Sequence, residues 1–508
     1  MRNEAQRTHS IFHHLGSLAE LIGAVLVLPA VVVVLYWGER GDGVGTLGAF
    51  LLPGSACFLT GVLLRRWFRP EVLDMTGSML LCALGWLVAS AFGALPFVLG
   101  LGASYLDGYF EAMSGFTTTG ITMFSGLDRM PHSLLFWRAF SQWLGGLGIL
   151  SFFLAITFRG AGEHHVFGAE SHKISSDRLA PGIFNTVRML WRIYALFTVV
   201  SVALLSLEGM PVFDAVCHTF TGLSTGGYSP HDKSIGFYAA TGHPHAALIE
   251  YTVVGVMLLG GINFLVHYRV LTGNPRALGD TLEMRYWWRL LAGFVGLILV
   301  ALALGTDLGP SLASGPVGER LAALEDSFRT TLFQVVAILT TTGFATEDIG
   351  GAYFPALAKQ LFLVMMVIGG CVGSTGGGIK VLRVAILTRL MGRELFRSRV
   401  SQRASTRLVI DGRLVSEDEV HRVACLFFAW IGLLVVGGGS TAVLSHQDAW
   451  ASFSGMFSAL GNIGPCYISQ ADMIAIHPGV KVTYIFGMLA GRLEILPVLL
   501  LFSRRAWR

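Results

Sequence analysis

FTTTGIT, residues Phe116 to Thr122, sets four threonines around one glycine between two long apolar stretches. Hydroxyls in such a place need partners, because a bilayer interior offers no water. The chain around them is oily. Of its 508 residues 53% are hydrophobic and 13% charged, and the mean hydropathy is +0.63, which excludes an ordinary soluble domain.

A bilayer core of about 30 Å takes roughly 20 helical residues to cross. Ten stretches qualify or come close: 19–37, 44–64, 77–100, 136–158, 187–206, 248–268, 288–304, 356–379, 423–444 and 480–502. The first is long, and LYWGERGDG after it offers no small-residue cleavage site, so it reads as a span and not as a secretory leader. With the N-terminus inside, 27 of the 36 Lys and Arg fall on the cytoplasmic side and 8 outside, as basic residues distribute in inner membranes. Both termini are then cytoplasmic. The outer segments carry 17 Asp and Glu, and a negative mouth concentrates cations. Decoration of loops by acidic residues is the plainer alternative for any single one. The six cysteines form no CxxC pair and the 15 histidines no HExxH motif, so neither a disulfide framework nor a metalloenzyme is indicated.

The outer segments repeat. YLDGYFEAMSGFTTTGIT, PVFDAVCHTFTGLSTGGYS, EDSFRTTLFQVVAILTTTGFAT and DAWASFSGMFSALGNIGPCY each start near a carboxylate and end in small residues. Asp107, Asp214, Asp326 and Asp448 suit helix N-termini. The roughly ten apolar residues that follow are too few to span and right for a re-entrant half-helix. Aligning Gly120, Gly226, Gly343 and Gly464 leaves 25, 34, 26 and 26 residues to the next small-residue pair, at Gly145, Gly260, Gly369 and Ala490. The unit expected is span, half-helix, glycine turn, span, four times over after two introductory spans. The division is 1–70 for the extension, then 71–160, 161–270, 271–400 and 401–508 for the repeats. The fold class is thus an all-α polytopic membrane protein of about ten transmembrane helices.

Irregular backbone at membrane depth is tolerated where it lines a water-filled path or is buried in protein. Four glycine turns around one axis present a ring of carbonyl oxygens of the kind that replaces an ion's hydration shell. The candidate ion ligands are Thr118, Thr119, Gly120, Ser224, Thr225, Gly226, Thr341, Thr342, Gly343, Asn462, Ile463 and Gly464. Helix packing through hydroxyls and glycines is the alternative for one copy; four copies in register argue against it. These motifs, with the two extra N-terminal spans, resemble the TrkH family, the membrane subunits of bacterial Trk potassium uptake systems in the Trk/Ktr/HKT superfamily. The resemblance covers nearly the whole chain. It implies four filter glycines, a preference for potassium where all four are glycine, and a place in the bacterial inner membrane. It also implies a homodimer, and beneath it a cytosolic nucleotide-binding regulatory ring, named TrkA in the Trk system. No enzyme activity, organic cofactor or nucleic-acid partner is expected; potassium is cargo, and lipid surrounds the chain. A less selective sodium and potassium translocator, or an ion-coupled carrier, is the alternative reading.

Two further stretches bear on mechanism. GGCVGSTGGGIK, Gly369 to Lys380, packs six glycines into ten residues, and each costs a helix about 1 kcal/mol relative to alanine. Its spacing is not that of a phosphate loop. The resemblance makes this the family's intramembrane gating loop, with Gly370, Gly373, Ser374, Thr375, Gly376, Gly377, Gly378 and Lys380 as its candidate residues. Arg492 sits in the last span at the level of the glycine pairs, where an arginine costs roughly 2.5 to 3.5 kcal/mol on insertion scales. It either pairs with Glu494 or snorkels, or, as the resemblance implies, projects into the pore. Arg492 with Glu494 reads as the only strong ionisable cluster within the spans. The basic stretch from Lys380 to Arg422 suits anionic lipid or a docked partner.

Overall fold

A computed structural model describes residues 2–71, 73–148, 183–305, 316–399 and 408–507. The chain is an all-α polytopic membrane protein. Among the described residues six helices are long and apolar enough to cross a bilayer: Arg7–Leu35, Val44–Trp67, Met75–Leu101, Asn185–Leu207, Leu282–Leu304 and Glu417–Ser445. The one sheet there is a small hairpin pairing Val409–Ile410 with Arg413–Leu414. The two introductory spans meet through glycines seven residues apart. A side chain at Gly23 would come within 2.6 Å of the Gly54 carbonyl, and one at Gly61 within 2.5 Å of the Gly16 carbonyl, the close backbone approach that small residues permit between membrane helices.

The same order of elements then recurs four times. Each repeat enters on one of the last four long helices, turns into a second helix, passes through a glycine turn and leaves on an interrupted helix. These second helices are Tyr105–Phe116, Val212–Leu223 and Ala449–Gly461, of 12, 12 and 13 residues, and Val317–Leu339, which at 23 residues is as long as the helix before it and longer than the half-helix expected. Ser104 caps the first by accepting from the Asp107 amide at 3.1 Å, and Asp448 caps the fourth by accepting from the Ala451 amide at 2.8 Å. Asp107 and Asp214 lie in first turns, where the helix dipole favours them. Asp326 does not start the third. That helix begins at Val317, and Asp326, on its side, pairs with Arg329 at 2.6 Å; Pro316 at the N-cap sets the earlier start.

The interrupted helices correct four of the expected spans. The stretch 248–268 divides into Ala246–Gly261 and Phe264–Leu271, bent by 106°. The helix expected over 356–379 stops at Ile368, and that over 480–502 divides at Leu493–Ile495. After His132–Trp143 the helix widens to a π turn at Leu144–Gly148, and the rest of 136–158 lies outside the described residues. Packing explains the breaks. A side chain would fall 2.0 Å from the Phe116 carbonyl at Gly145, 2.6 Å from that of Leu223 at Gly260 and 1.9 Å from that of Leu460 at Gly491. Those three carbonyls occupy equivalent places near the ends of the shorter helices. The outgoing helices of the first, second and fourth repeats are thus pressed against the end of their own preceding helix at small residues, and lose regularity near there.

Candidate functional site

The four turns share one backbone. Thr118, Thr225, Thr341 and Asn462 all adopt left-handed dihedrals, with φ of 54°, 54°, 60° and 52°. That conformation costs a non-glycine residue roughly 1–2 kcal/mol. One residue on, the amides of Thr119, Gly226, Thr342 and Ile463 donate to the carbonyls of Ser114, Thr221, Ala337 and Ser458 at 2.8, 2.7, 2.8 and 3.0 Å. One residue further come Gly120, Gly227, Gly343 and Gly464, with φ of 87°, 75°, 80° and 105°, a region that glycine enters freely.

This register differs by one residue from the alignment read in the sequence. Gly227 is the equivalent of Gly120, Gly343 and Gly464, and Gly226 takes the place of Thr119. The consecutive glycines in STGGYS fit the alignment equally well as letters; the left-handed Thr225 and the positive φ at Gly227 separate them. Ser224 is accordingly the counterpart of Thr117 and Thr340.

The turns also close on one another. A side chain at Gly120 would lie 2.2 Å from the carbonyl oxygen of Gly226, at Gly227 2.0 Å from that of Thr342, at Gly343 1.8 Å from that of Ile463, and at Gly464 3.0 Å from that of Thr119. Each glycine therefore abuts the carbonyl before the next glycine, and the fourth returns to the first. The result is a backbone ring that no larger residue could build.

On one side the ring opens into a cavity of about 780 Å³, lined by all four glycines with His231, Asp232, Lys233, Glu347 and Asp348 among others. His231 bridges two repeats there, 2.6 Å from Asp128 and 2.9 Å from Asp214. Burial opposes its protonation, but the two carboxylates outweigh that and hold its pKa above the usual histidine value.

On the other side lies the glycine-rich stretch, non-helical from Gly369 to Lys380. It is bound to the turns directly. Thr375 is fully buried; its hydroxyl donates to the carbonyls of Leu223 and Gly260, each at 3.0 Å, and receives that of Thr225 at 3.2 Å. The Gly377 amide donates to the Thr341 hydroxyl at 2.6 Å. Gly370, Gly373, Ser374, Gly376 and Gly378 belong to this loop, Ser374 bonding the Cys371 carbonyl at 2.6 Å and Lys380 the Gly376 carbonyl. Arg492 reaches the same place from the fourth repeat. Its guanidinium donates to the Thr118 hydroxyl at 3.1 Å and to the carbonyls of Thr375, Gly145 and Gly146 at 2.7, 2.8 and 3.0 Å. Three of the four left-handed residues are thus engaged through their hydroxyls by the loop or by Arg492. The fourth, Asn462, donates to the Thr119 hydroxyl and the Met488 carbonyl, both at 2.9 Å. Glu494 accepts from Arg383 at 2.6 Å.

A buried ion pair beside the first turn is one that the sequence alone did not single out. Arg138 and Glu111, counted there with the outer charges, are 2% and 1% exposed and 2.7 Å apart. Arg138 also donates to the Ser229 carbonyl at 3.0 Å and the Thr122 hydroxyl at 3.1 Å, and its guanidinium lies 4.2 Å from the Tyr228 ring centre. Gln142 completes the brace by donating to the Gly226 carbonyl at 2.7 Å and accepting from the Tyr228 amide at 3.1 Å. Arg492 with Glu494 is therefore not the only strong cluster. The available signal was a charge at helical spacing inside apolar sequence.

The profile of a family described as TrkH, cation transport protein, matches residues 84–507. The Trk system potassium uptake protein TrkH of Salmonella typhimurium is 32% identical over 503 residues, covering 97% of this chain and 98% of that protein. That of Halomonas elongata is also 32% identical, over 98% and 99%. Among solved structures, the crystal structure of the potassium transporter TrkH from Vibrio parahaemolyticus superposes with a TM-score of 0.81 at 30% identity, covering 99% of this chain and 100% of that one.

Proposed function

The chain belongs to the TrkH family of cation transport proteins, and on that footing we propose that it takes up potassium through the ring of Gly120, Gly227, Gly343 and Gly464. One observation carries this reading: the four turns share a strained backbone and close on one another glycine to carbonyl. Carbonyls held in such a ring replace the hydration shell of an ion that fits them. The cavity on one side, with Asp232, Glu347 and Asp348 in its wall, is the outer mouth and draws cations.

The glycine loop and Arg492 act as the gate in this proposal. A guanidinium under the ring repels an entering cation, and the repulsion is strong where water is scarce. Opening requires the loop to release the Leu223 carbonyl and the Thr341 hydroxyl, and a partner that favours the released state opens the pore. A cytosolic nucleotide-binding protein of the TrkA type, acting on a homodimer from the loop side in a bacterial inner membrane, fits that role. The test is rubidium uptake into proteoliposomes holding the purified full-length chain. Uptake above protein-free vesicles that excess external potassium abolishes is expected; none under any potassium gradient, with folded protein, would refute the reading.

A further inference from the structure

The glycine loop is also bonded by a residue that takes no part in the ring of turns. Glu283 lies in the first turn of the helix Leu282–Leu304, with Thr281 as its N-cap. Its side chain turns inward: the residue is 7% exposed, and Oε1 accepts from the Val372 amide at 2.7 Å, inside the glycine loop. The same helix end is also held by the small hairpin. Asp411, at the hairpin's Asp-Gly turn with φ of 45° and 78° at Asp411 and Gly412, accepts from the Leu282 amide at 2.9 Å through Oδ1 and 3.0 Å through Oδ2. Its Oδ1 is also 3.4 Å from Arg285. The hairpin is seated by Leu408 and Ile410, which pack with Leu282, Leu382, Ala385, Ile386 and Val423. Its other side chains Val409 and Leu414 stay exposed.

We propose that Glu283 is the positioning residue that holds the glycine loop in its closed place, and that the hairpin turn at Asp411 sets Glu283 through the end of the helix they share. A displacement of the hairpin then loosens Val372 without touching the ring. The inference rests on the reading of the loop as a gate, and it deepens that reading by naming where force enters. Buried beside a loop that carries six glycines, the Glu283 carboxyl holds the Val372 amide within the loop and the Leu382 backbone just after it, and losing a hydrogen bond of ordinary strength shifts an equilibrium by about tenfold.

The test is rubidium flux through full-length protein in proteoliposomes, with Glu283→Ala, Glu283→Gln, Asp411→Ala and the double alanine variant compared, and Arg492→Ala as reference. Glu283→Ala is expected to raise basal flux by about tenfold, and Glu283→Gln, which keeps an acceptor oxygen, to restore it to within about threefold of the unaltered protein. Rubidium over sodium preference stays as it was, which a general loosening of the fold would not allow. Asp411→Ala raises flux less, and the double variant no further than Glu283→Ala alone, since both act through one contact. If Arg492→Ala raises flux while Glu283→Ala does not, the gate stands and this inference falls. If neither does, the reading of the gate itself falls. Additive effects of the two alanines would overturn the role of Asp411. Hydrogen exchange across 369–380 gives a second readout where flux is too low: faster exchange in Glu283→Ala is expected, and unchanged exchange refutes the anchor.

Discussion

Gly227 carries the left-handed φ and Gly226 does not, so the two adjacent glycines have different work. At Gly227, as at Gly120, a side chain would meet both an unfavourable dihedral and a carbonyl oxygen 2.0–2.2 Å away, closer than any real contact allows. Replacing either glycine by serine forces the ring apart and adds a hydroxyl. Gly120→Ser and Gly227→Ser are both expected to narrow the preference for potassium over sodium, measured as the ratio of initial uptake rates in proteoliposomes. Unchanged ratios in both would remove the glycines from ion recognition. In the proposed pore Arg492 is the opposite kind of residue, a charge beneath the ring that an entering ion would meet. Arg492→Ala is expected to raise basal rubidium flux severalfold, because the barrier from a fixed positive charge in a poorly hydrated site is lost. Flux at the unaltered level in folded protein would leave Arg492 as a strut between Gly145, Gly146 and Thr375.

The loop from Gly369 to Lys380 is the element on which gating turns in this proposal. It touches the second turn through Thr375 and the third through Gly377, but contributes nothing to the ring of glycines and carbonyls. Deleting Ser374 to Gly377 is therefore expected to raise flux and abolish its response to the cytosolic partner while potassium preference persists. Selectivity lost together with gating would make the loop part of the filter. The brace of Glu111, Arg138, Tyr228 and Gln142 ties the first turn to the second. Arg138→Ala leaves Glu111 buried without its partner, which costs about 3–5 kcal/mol, and a markedly lower melting temperature in detergent is the expected outcome. These elements differ in how far the sequence disclosed them. The glycine run announces a break by composition alone, and the four turns by their recurrence. The one-residue shift at Gly227 was hidden because two adjacent glycines look alike until their dihedrals are known. The pair Glu111 and Arg138 was hidden because its members are 27 positions apart and meet only once the helices pack.

Across the whole molecule, hydropathy and charge were enough to read a polytopic chain with four repeats, since spanning length and internal recurrence are properties of the string. The helix breaks were not, because they arise where one repeat's turn presses on its own outgoing helix at Gly145, Gly260 and Gly491. That pressure links the ring and the glycine loop in space: the broken helices frame the place where Arg492 and Thr375 meet beneath the ring. Selection of one cation by four backbone turns is the claim on which everything else depends. Uptake by the purified protein in proteoliposomes, with potassium, rubidium, sodium and lithium supplied in turn under the same gradient, addresses it directly. Potassium and rubidium should enter well ahead of sodium and lithium. Sodium entering as readily as potassium would mean that the ring of Gly120, Gly227, Gly343 and Gly464 does not choose the ion.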